Sequence, residues 1–491
     1  MTTQTRSVAH WANLDRHRRS AIIAGFYTSN NQATAHALLS LVKAPRGYGV
    51  YASTGPNYHF SIFGRDSIAV AEDILESQPK VAKEIIFLLA KLQGKKVDNA
   101  SEEEPGKIPH EYRARKFSHA PFSRAAAIML DTLKIVWGGT EDQLLYYGAF
   151  DATPLFVRLV DRYCEKYGRD ILDEIVVDRD HKRKPLREHV YAAVKWTLDK
   201  VYSSPWQLLE FKRLNPLGLY NQSWKDSNTA YLHVNGSAAQ SDSGIAAIEL
   251  QGYAYDALMA GARLVSRNMA EANTWHAVAR TIQVKTLELL WLPDQAFFAQ
   301  GADRDENNAL RHIATLTSNP ALLLDTGLLK DLQPETARPY VEGIARMIMS
   351  EEFLTVAGIR CRAKRHIELV PFADYHGSQV TWPHDTWQAA KGLRRHGYEK
   401  LAAHLENCIL ESVQEAGEFY EFFFVTLDGR AKYHYRQEAR DEPTSHDFGA
   451  ANKPEPGQAW TISAVLGIIN GRHLQARKPR HSEKEAVKTP S

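Results

Sequence analysis

The stretch Trp382-Pro383-His384-Asp385-Thr386-Trp387-Gln388-Ala389-Ala390-Lys391-Gly392-Leu393-Arg394-Arg395-His396 decides the fold. Pro383 suits a first helical turn, where its missing N–H costs nothing. After it, Trp387, Ala390 and Leu393 recur at a spacing of three and so share one helical face. The same i, i+3, i+4 pattern runs through 64–77, 79–94, 120–136, 151–167, 186–203, 243–266, 268–292, 320–328, 334–349, 398–416 and 458–472. That predicts about twelve amphipathic helices. Long β-branched alternating runs are nearly absent, and Ile175–Val177 and Phe422–Leu427 are the best strand candidates.

The helices pair through alternating tight and long connections. The long ones fall at about 45–63, 95–119, 138–150, 204–242, 293–319, 350–381 and 417–457. Connections of this length inside a compact domain usually carry function. The pattern predicts an all-α (α/α)6 toroid, with inner helices around a central funnel and long loops lining one mouth. Nothing splits the chain internally. The expected division is an N-terminal helical extension (1–44), one (α/α)6 catalytic domain (45–473) and a basic, disordered tail (474–491).

Of 491 residues, 44% are hydrophobic and 24% charged, which is ordinary globular composition. A net charge of +2 gives no reason to expect a nucleic-acid partner. Cys164, Cys361 and Cys408 are scattered, which fits a reduced cytoplasmic protein and argues against a structural zinc site. No run approaches the roughly 18 apolar residues of a membrane span. The apolar piece Ala21–Tyr27 is too short for a signal peptide. A cytoplasmic protein with no membrane partner is therefore expected. Its oligomeric state is not legible. Phosphate-loop, strand-GxGxxG-helix and GxSxG patterns are missing, which disfavours nucleotide and serine-nucleophile chemistry.

The unusual polar clusters sit on the long loops and helix starts. Gln222-Ser223-Trp224-Lys225-Asp226-Ser227 places one carboxylate among aromatic, amide and hydroxyl groups. Glu418-Phe419-Tyr420-Glu421-Phe422 carries aromatic-flanked carboxylates far downstream. Two carboxylates on distant loops suit an inverting glycoside hydrolase. One protonates the leaving oxygen, and the other activates a water on the opposite face of the sugar. The acid then needs a raised pKa, from an apolar neighbour such as Trp224 or from nearby carboxylates, with Lys225 turned away.

Other clusters have a functional and a plainer reading. Arg65 and Asp66 open a helix, as a fork for vicinal sugar hydroxyls or as a cap that offsets the dipole. Two prolines aim His110 and Glu111, unless these belong to a solvated acidic turn. Tyr147 offers a stacking face, and Asp151 is a ligand or a cap. Glu249 and Gln251 lie in a helical stretch, and Glu249 shares a face with Tyr253. That face is solvent in an ordinary globule and funnel wall in a toroid. Tyr375-His376-Gly377-Ser378-Gln379 leads into Trp382, His384 and Asp385, a polar-aromatic set at a helix start. His376, His384 and Asp385 are conceivable metal ligands, but without a His-Glu-x-x-His pattern no metal is expected.

These clusters in this order resemble a known family. The segments FGRDS (63–67), EEPGKIPHEYR (103–113), YYGAFDATPLF (146–156), SWKDS (223–227), IELQGYAY (248–255), TSNPALLL (317–324), WPHD (382–385) and GQAW (457–460) are similar to the glucosidase domain of glycogen-debranching enzymes. That amylo-α-1,6-glucosidase group is related more widely to six-hairpin glycosidases such as glucoamylases and trehalases. The resemblance covers about 45–470. It implies Asp226 as general acid, with Arg65 and Asp66 holding the terminal glucose. It implies Glu421 as general base, with Glu418, Glu438 and Glu442 as alternatives. Ser223 stands where the family usually has Gly, the segment 430–456 is idiosyncratic, and no additional N-terminal domain of the debranching type is expected in the chain.

The implied activity is an inverting exo-acting α-glucosidase of debranching type. It would act on an oligosaccharide or glycogen-like α-glucan without a cofactor. A second reading keeps the fold and changes the substrate to a small α-glycoside, such as trehalose or a glucosyl- or mannosylglycerate-like solute. A closed pocket favours the small substrate and an open groove the polymer end. A third reading is a catalytically inactive sugar-binding relative.

Overall fold

The computed structural model describes residues 11–477, apart from 12, 29–31, 56, 118–122, 371–373 and 434–453. Fourteen α-helices occur among the described residues: α1 (Arg16–Thr28), α2 (Gln32–Leu39), α3 (Gly64–Asp73), α4 (Pro79–Leu92), α5 (Ser123–Trp137), α6 (Ala152–Tyr167), α7 (Leu186–Ser203), α8 (Ile248–Leu264), α9 (Met269–Leu290), α10 (Gly327–Lys330), α11 (Pro334–Ile348), α12 (Pro383–Arg395), α13 (Glu399–Ala416) and α14 (Ala459–Arg477).

The inner elements close a ring. α3 packs on α6, α6 on α8, α8 on the 3₁₀ segment Asn319–Asp325, that segment on α12, α12 on α14, and α14 back on α3. Such helices are flanked on both sides and backed by an outer layer, so they bury most of their circumference. In α8 every residue from Ile248 to Tyr255 is buried. The outer layer is α4 on α3, α7 on α6, α9 on α8, α11 on the 3₁₀ segment and α13 on α12. α1 packs on α13 and α2 on α14, so the N-terminal helices supply the outer layer of the sixth pair. The architecture is the expected all-α (α/α)6 toroid.

α5 departs from the expected pairing. It packs on the strand Gln143–Tyr146, outside the ring. That strand belongs to a three-stranded antiparallel sheet with Ser61–Phe63 and Glu111–Ala114. The apolar stripe of α5 is real, with Leu130 and Trp137 buried, but it faces a sheet and not a partner helix. The expected strands are present as Ile175–Val177 and Phe423–Val425. Many others are only two to four residues long, too short for alternation to register in the sequence. The expected 320–328 helix is a 3₁₀ segment followed by α10.

The ring sets the direction of the site. α3, α6, α8, α12 and α14 begin at or beside the motif segments around 64, 151, 248, 382 and 459. Their N-terminal ends therefore collect the polar clusters, and the partial positive charge there favours carboxylates.

Candidate active site

Asp226 lies on a non-helical loop that is tied down from below. Ser223 donates its hydroxyl to Glu249 Oε1 (2.6 Å), and its carbonyl accepts from Arg65 (2.7 Å). Glu249 also accepts from Tyr231 (2.9 Å) and Asn319 (3.0 Å). Ser223 thus gives the loop an anchor to α8. Lys225 turns away as expected, donating to Ser318 Oγ (2.6 Å) and the Cys361 carbonyl (2.7 Å). Trp224 packs edge-on against Trp382 (5.2 Å between rings) and against Trp460 (5.6 Å).

A small cavity opens above this loop. Asp226 and Glu421 both line it, together with Arg65, Asp66, Trp224 and Trp382. Tyr58, Phe63, Tyr375, His376, Gln458 and Trp460 complete the wall. Larger surface grooves occur elsewhere, and in two of them carboxylates are paired: Glu104 with Lys200, Glu210 with Arg304, Asp178 with Lys95. The small cavity is distinguished by carboxylates that converge on an aromatic box.

Among the described residues, Arg65 is the one arginine or lysine lining the cavity. It contacts Asp226 Oδ2 (3.2 Å) and Asp151 Oδ2 (3.2 Å). Burial pushes the Asp226 carboxyl up to about 6, Arg65 pulls it down, and Asp151 pushes it up again. Burial likewise takes Asp66 to about 7, against the pull of Arg65. Burial raises Glu421 as well, the Tyr375 hydroxyl lowers it, and the Glu455 carboxylate raises it. Tyr375 donates to Glu421 Oε1, and the Glu455 backbone N–H donates to Oε2 (3.2 Å). Both oxygens accept, and these two donors favour the ionised form against the burial that raises the carboxyl. Glu455 itself stays behind the wall, held by Ser53 (2.9 Å) and Asn57 (2.8 Å).

The other sequence-derived residues divide. Arg65, Asp66, Trp224 and Trp382 line the cavity, and Asp151 sits under Arg65. His110 lies behind Phe63, edge-on at 5.3 Å, and burial keeps its imidazole neutral. Glu111 pairs with Arg113 in the sheet. His384 stacks on the outer face of Trp460 at 4.6 Å. Asp385 is buried against Ser318 and Lys225, beneath the floor.

Tyr147 and Gln251 do not belong to the cavity. Tyr147 donates to the Leu92 carbonyl (2.7 Å), and Gln251 bonds the backbone of Leu209. Each satisfies buried backbone groups, a common task for a polar side chain in a core. Glu418 turns away from the cavity toward Trp11 and Arg19. Glu438 and Glu442 lie outside the described residues.

The sequence reading passed over most of the aromatic wall. Phe63, Gln458 and Trp460 stand inside the motif segments, and Tyr375 and His376 inside the cluster before Trp382, so a signal existed for five of them. Tyr58 had none.

Residues 200–430 match the family model of the mannosylglycerate hydrolase MGH1-like glycoside hydrolase domain. No curated protein matches the chain. Among solved structures, a wild-type glycosidase is 13% identical, covers 94% of this chain and 100% of its own, and superposes with a TM-score of 0.57. The GH63 mannosylglycerate hydrolase of Thermus thermophilus in complex with Tris and D-glycerate is 16% identical, covers 90% and 100%, and gives 0.56. The same hydrolase with glucose gives 15% identity and 0.55 over the same shares. The chain has the (α/α)6 fold of these glycosidases, and its central region matches an MGH1-like glycoside hydrolase domain.

Proposed function

We propose that the protein is an inverting glycoside hydrolase of a small α-linked glycoside of the mannosyl- or glucosylglycerate kind. The observation that carries the reading is one small cavity holding Asp226 and Glu421 within an aromatic box. The cavity is small and ringed by aromatic side chains. A narrow site of this kind suits one sugar ring and a short aglycone better than a glycogen branch, so the small-glycoside reading stands ahead of debranching.

In this reading Arg65 occupies Asp226 Oδ2, which leaves Oδ1 to carry the proton for the glycosidic oxygen. Glu421 accepts a proton from water, and that water attacks the anomeric carbon from the opposite face. Asp66 and Arg65 hold sugar hydroxyls, and Trp224 and Trp382 present ring faces. The test is a panel of mannosylglycerate, glucosylglycerate, trehalose and a branched α-glucan, with the first product anomer read by NMR. Release of the inverted anomer from a glycerate glycoside is expected. Turnover of the branched glucan alone restores the debranching reading, and retained configuration refutes the mechanism.

A further inference from the structure

Glu418 stands three residues before Glu421 on the same short segment, yet the two carboxylates point to opposite sides. Glu421 lines the cavity. Glu418 is 4% exposed, points outward and is gripped by the N-terminal helix. Arg19 of α1 contacts Glu418 Oε2 at 2.5 Å, and Trp11 Nε1 donates to the same oxygen at 3.2 Å. The Phe419 N–H donates to Oε1 (2.9 Å), and the Trp11 ring packs on Phe419 at 5.9 Å. Arg16 Nε caps the Glu415 carbonyl at the end of α13 (2.8 Å).

From the inner side the segment is held by backbone. The Gln458 N–H donates to the Phe419 carbonyl (2.8 Å), Thr461 Oγ1 to the Tyr420 carbonyl (2.9 Å), and the Glu421 N–H to the Glu455 carbonyl (2.9 Å). The segment is thus clamped between α14 and its approach on the inside and α1 on the outside. A buried carboxylate with three donors is costly to rotate, because each lost partner leaves a desolvated charge less satisfied.

We propose that α1 is a working part of the catalytic apparatus and that Glu418 is a positioning residue. Gripped by Arg19 and Trp11, it fixes the segment that aims Glu421 at the cavity. This rests on the reading of Glu421 as general base. It acts on the water-activation step and not on sugar binding, because no described α1 side chain lines the cavity. Displacement of a reacting group by about 1 Å can lower a rate by up to about a hundredfold.

The experiment uses the full chain and the best-turned-over glycoside of the panel. Arg19→Ala and Trp11→Phe are expected to lower kcat roughly tenfold. KM should stay within about twofold, as should glucose affinity read from the fluorescence of the cavity tryptophans. Arg19→Lys should restore most of the rate, and Arg18→Ala, whose exposed side chain pairs with Asp15 on the solvent side, should leave it unchanged. Should Arg19→Ala prove poorly folded, Trp11→Phe and Arg19→Lys carry the comparison. Unchanged kcat in both Arg19→Ala and Trp11→Phe, with Glu421→Gln inactive, overturns the proposal alone. A rise in KM equal to the fall in kcat/KM also overturns it. Full turnover by Glu421→Gln overturns the base assignment and this proposal together.

Discussion

Asp226 and Glu421 differ in burial and in hydrogen bonding. The Asp226 side chain is 28% exposed and faces Arg65 through one oxygen, whereas Glu421 is 2% exposed and has a donor on each oxygen. Asp226→Asn and Glu421→Gln should each lower kcat at least about a thousandfold, as expected where one partner of an acid–base pair is lost. Thermal melts should stay near wild type, since both changes keep the side-chain volume. With its acid form lost above about 6, Asp226 should place the alkaline limb of kcat/KM near pH 6. A profile flat from pH 5 to 8 would remove it as the acid.

Tyr375→Phe deletes a donor that stabilises the charged form of Glu421. Tyr58, Glu455, Asp66 and Asp226 also face this corner. Without the phenol, the Glu421 carboxyl titrates at higher pH and the acid limb moves up. A hydrogen bond to a charged group contributes about 1.5–3 kcal/mol, so kcat at the optimum should drop roughly ten- to a hundredfold. An acid limb that stays in place contradicts this.

Helices of the inner ring approach each other through small residues. A Cβ on Gly392 of α12 would sit 2.8 Å from the Leu324 carbonyl carbon and 3.0 Å from the Asp325 nitrogen. Backbone of a neighbouring element cannot step aside as a side chain can. Gly392→Ala should therefore destabilise by about 1–3 kcal/mol through overpacking. Urea unfolding should show a lower midpoint at unchanged slope. A wild-type midpoint would contradict close backbone packing at this position. Gly417, at φ +63°, ends α13 in the left-handed region and lets the Arg16 carbonyl come close, 2.7 Å from where its Cβ would stand. That turn seats α1 against the Glu418 segment.

Closure of the ring depends on charges that join distant helices. Asp73 of α3 accepts from Trp387 Nε1 and Lys391 Nζ of α12, both at 2.8 Å, and from Ser463 Oγ of α14 at 2.9 Å. Three inner helices therefore meet on one buried carboxylate. Asp73→Ala removes the acceptor of three donors and the ion-pair partner of part-buried Lys391, and this should cost up to about 3 kcal/mol. The double variant Asp73→Ala with Lys391→Met should recover much of the loss, because the stranded charge is then gone. Equal melting temperatures for the single and double variants would refute this account.

The helical period, the pairing rhythm and the loop clusters were legible in the chain because they arise from local spacing. Leu393 and Trp387 must share a helical face whatever surrounds them. The toroid and the loop carrying Asp226 could be read that way, whereas Arg65, Asp66 and Trp382 were gathered to one pocket by what the resemblance of their segments implies. The partner of α5 could not, because an apolar stripe fits a sheet as well as a helix. Nor could the choice between Glu418 and Glu421, which share one loop. Side-chain direction in an irregular segment depends on what packs on either side of it. Here Trp11 and Arg19 take the outer face, while Tyr375 and the backbone of Glu455 take the inner one. These neighbours are far away in sequence, and three-dimensional packing alone brings them to the loop. The same reason sends Tyr147 and Gln251 into the core and Tyr375 and Trp460 to the cavity.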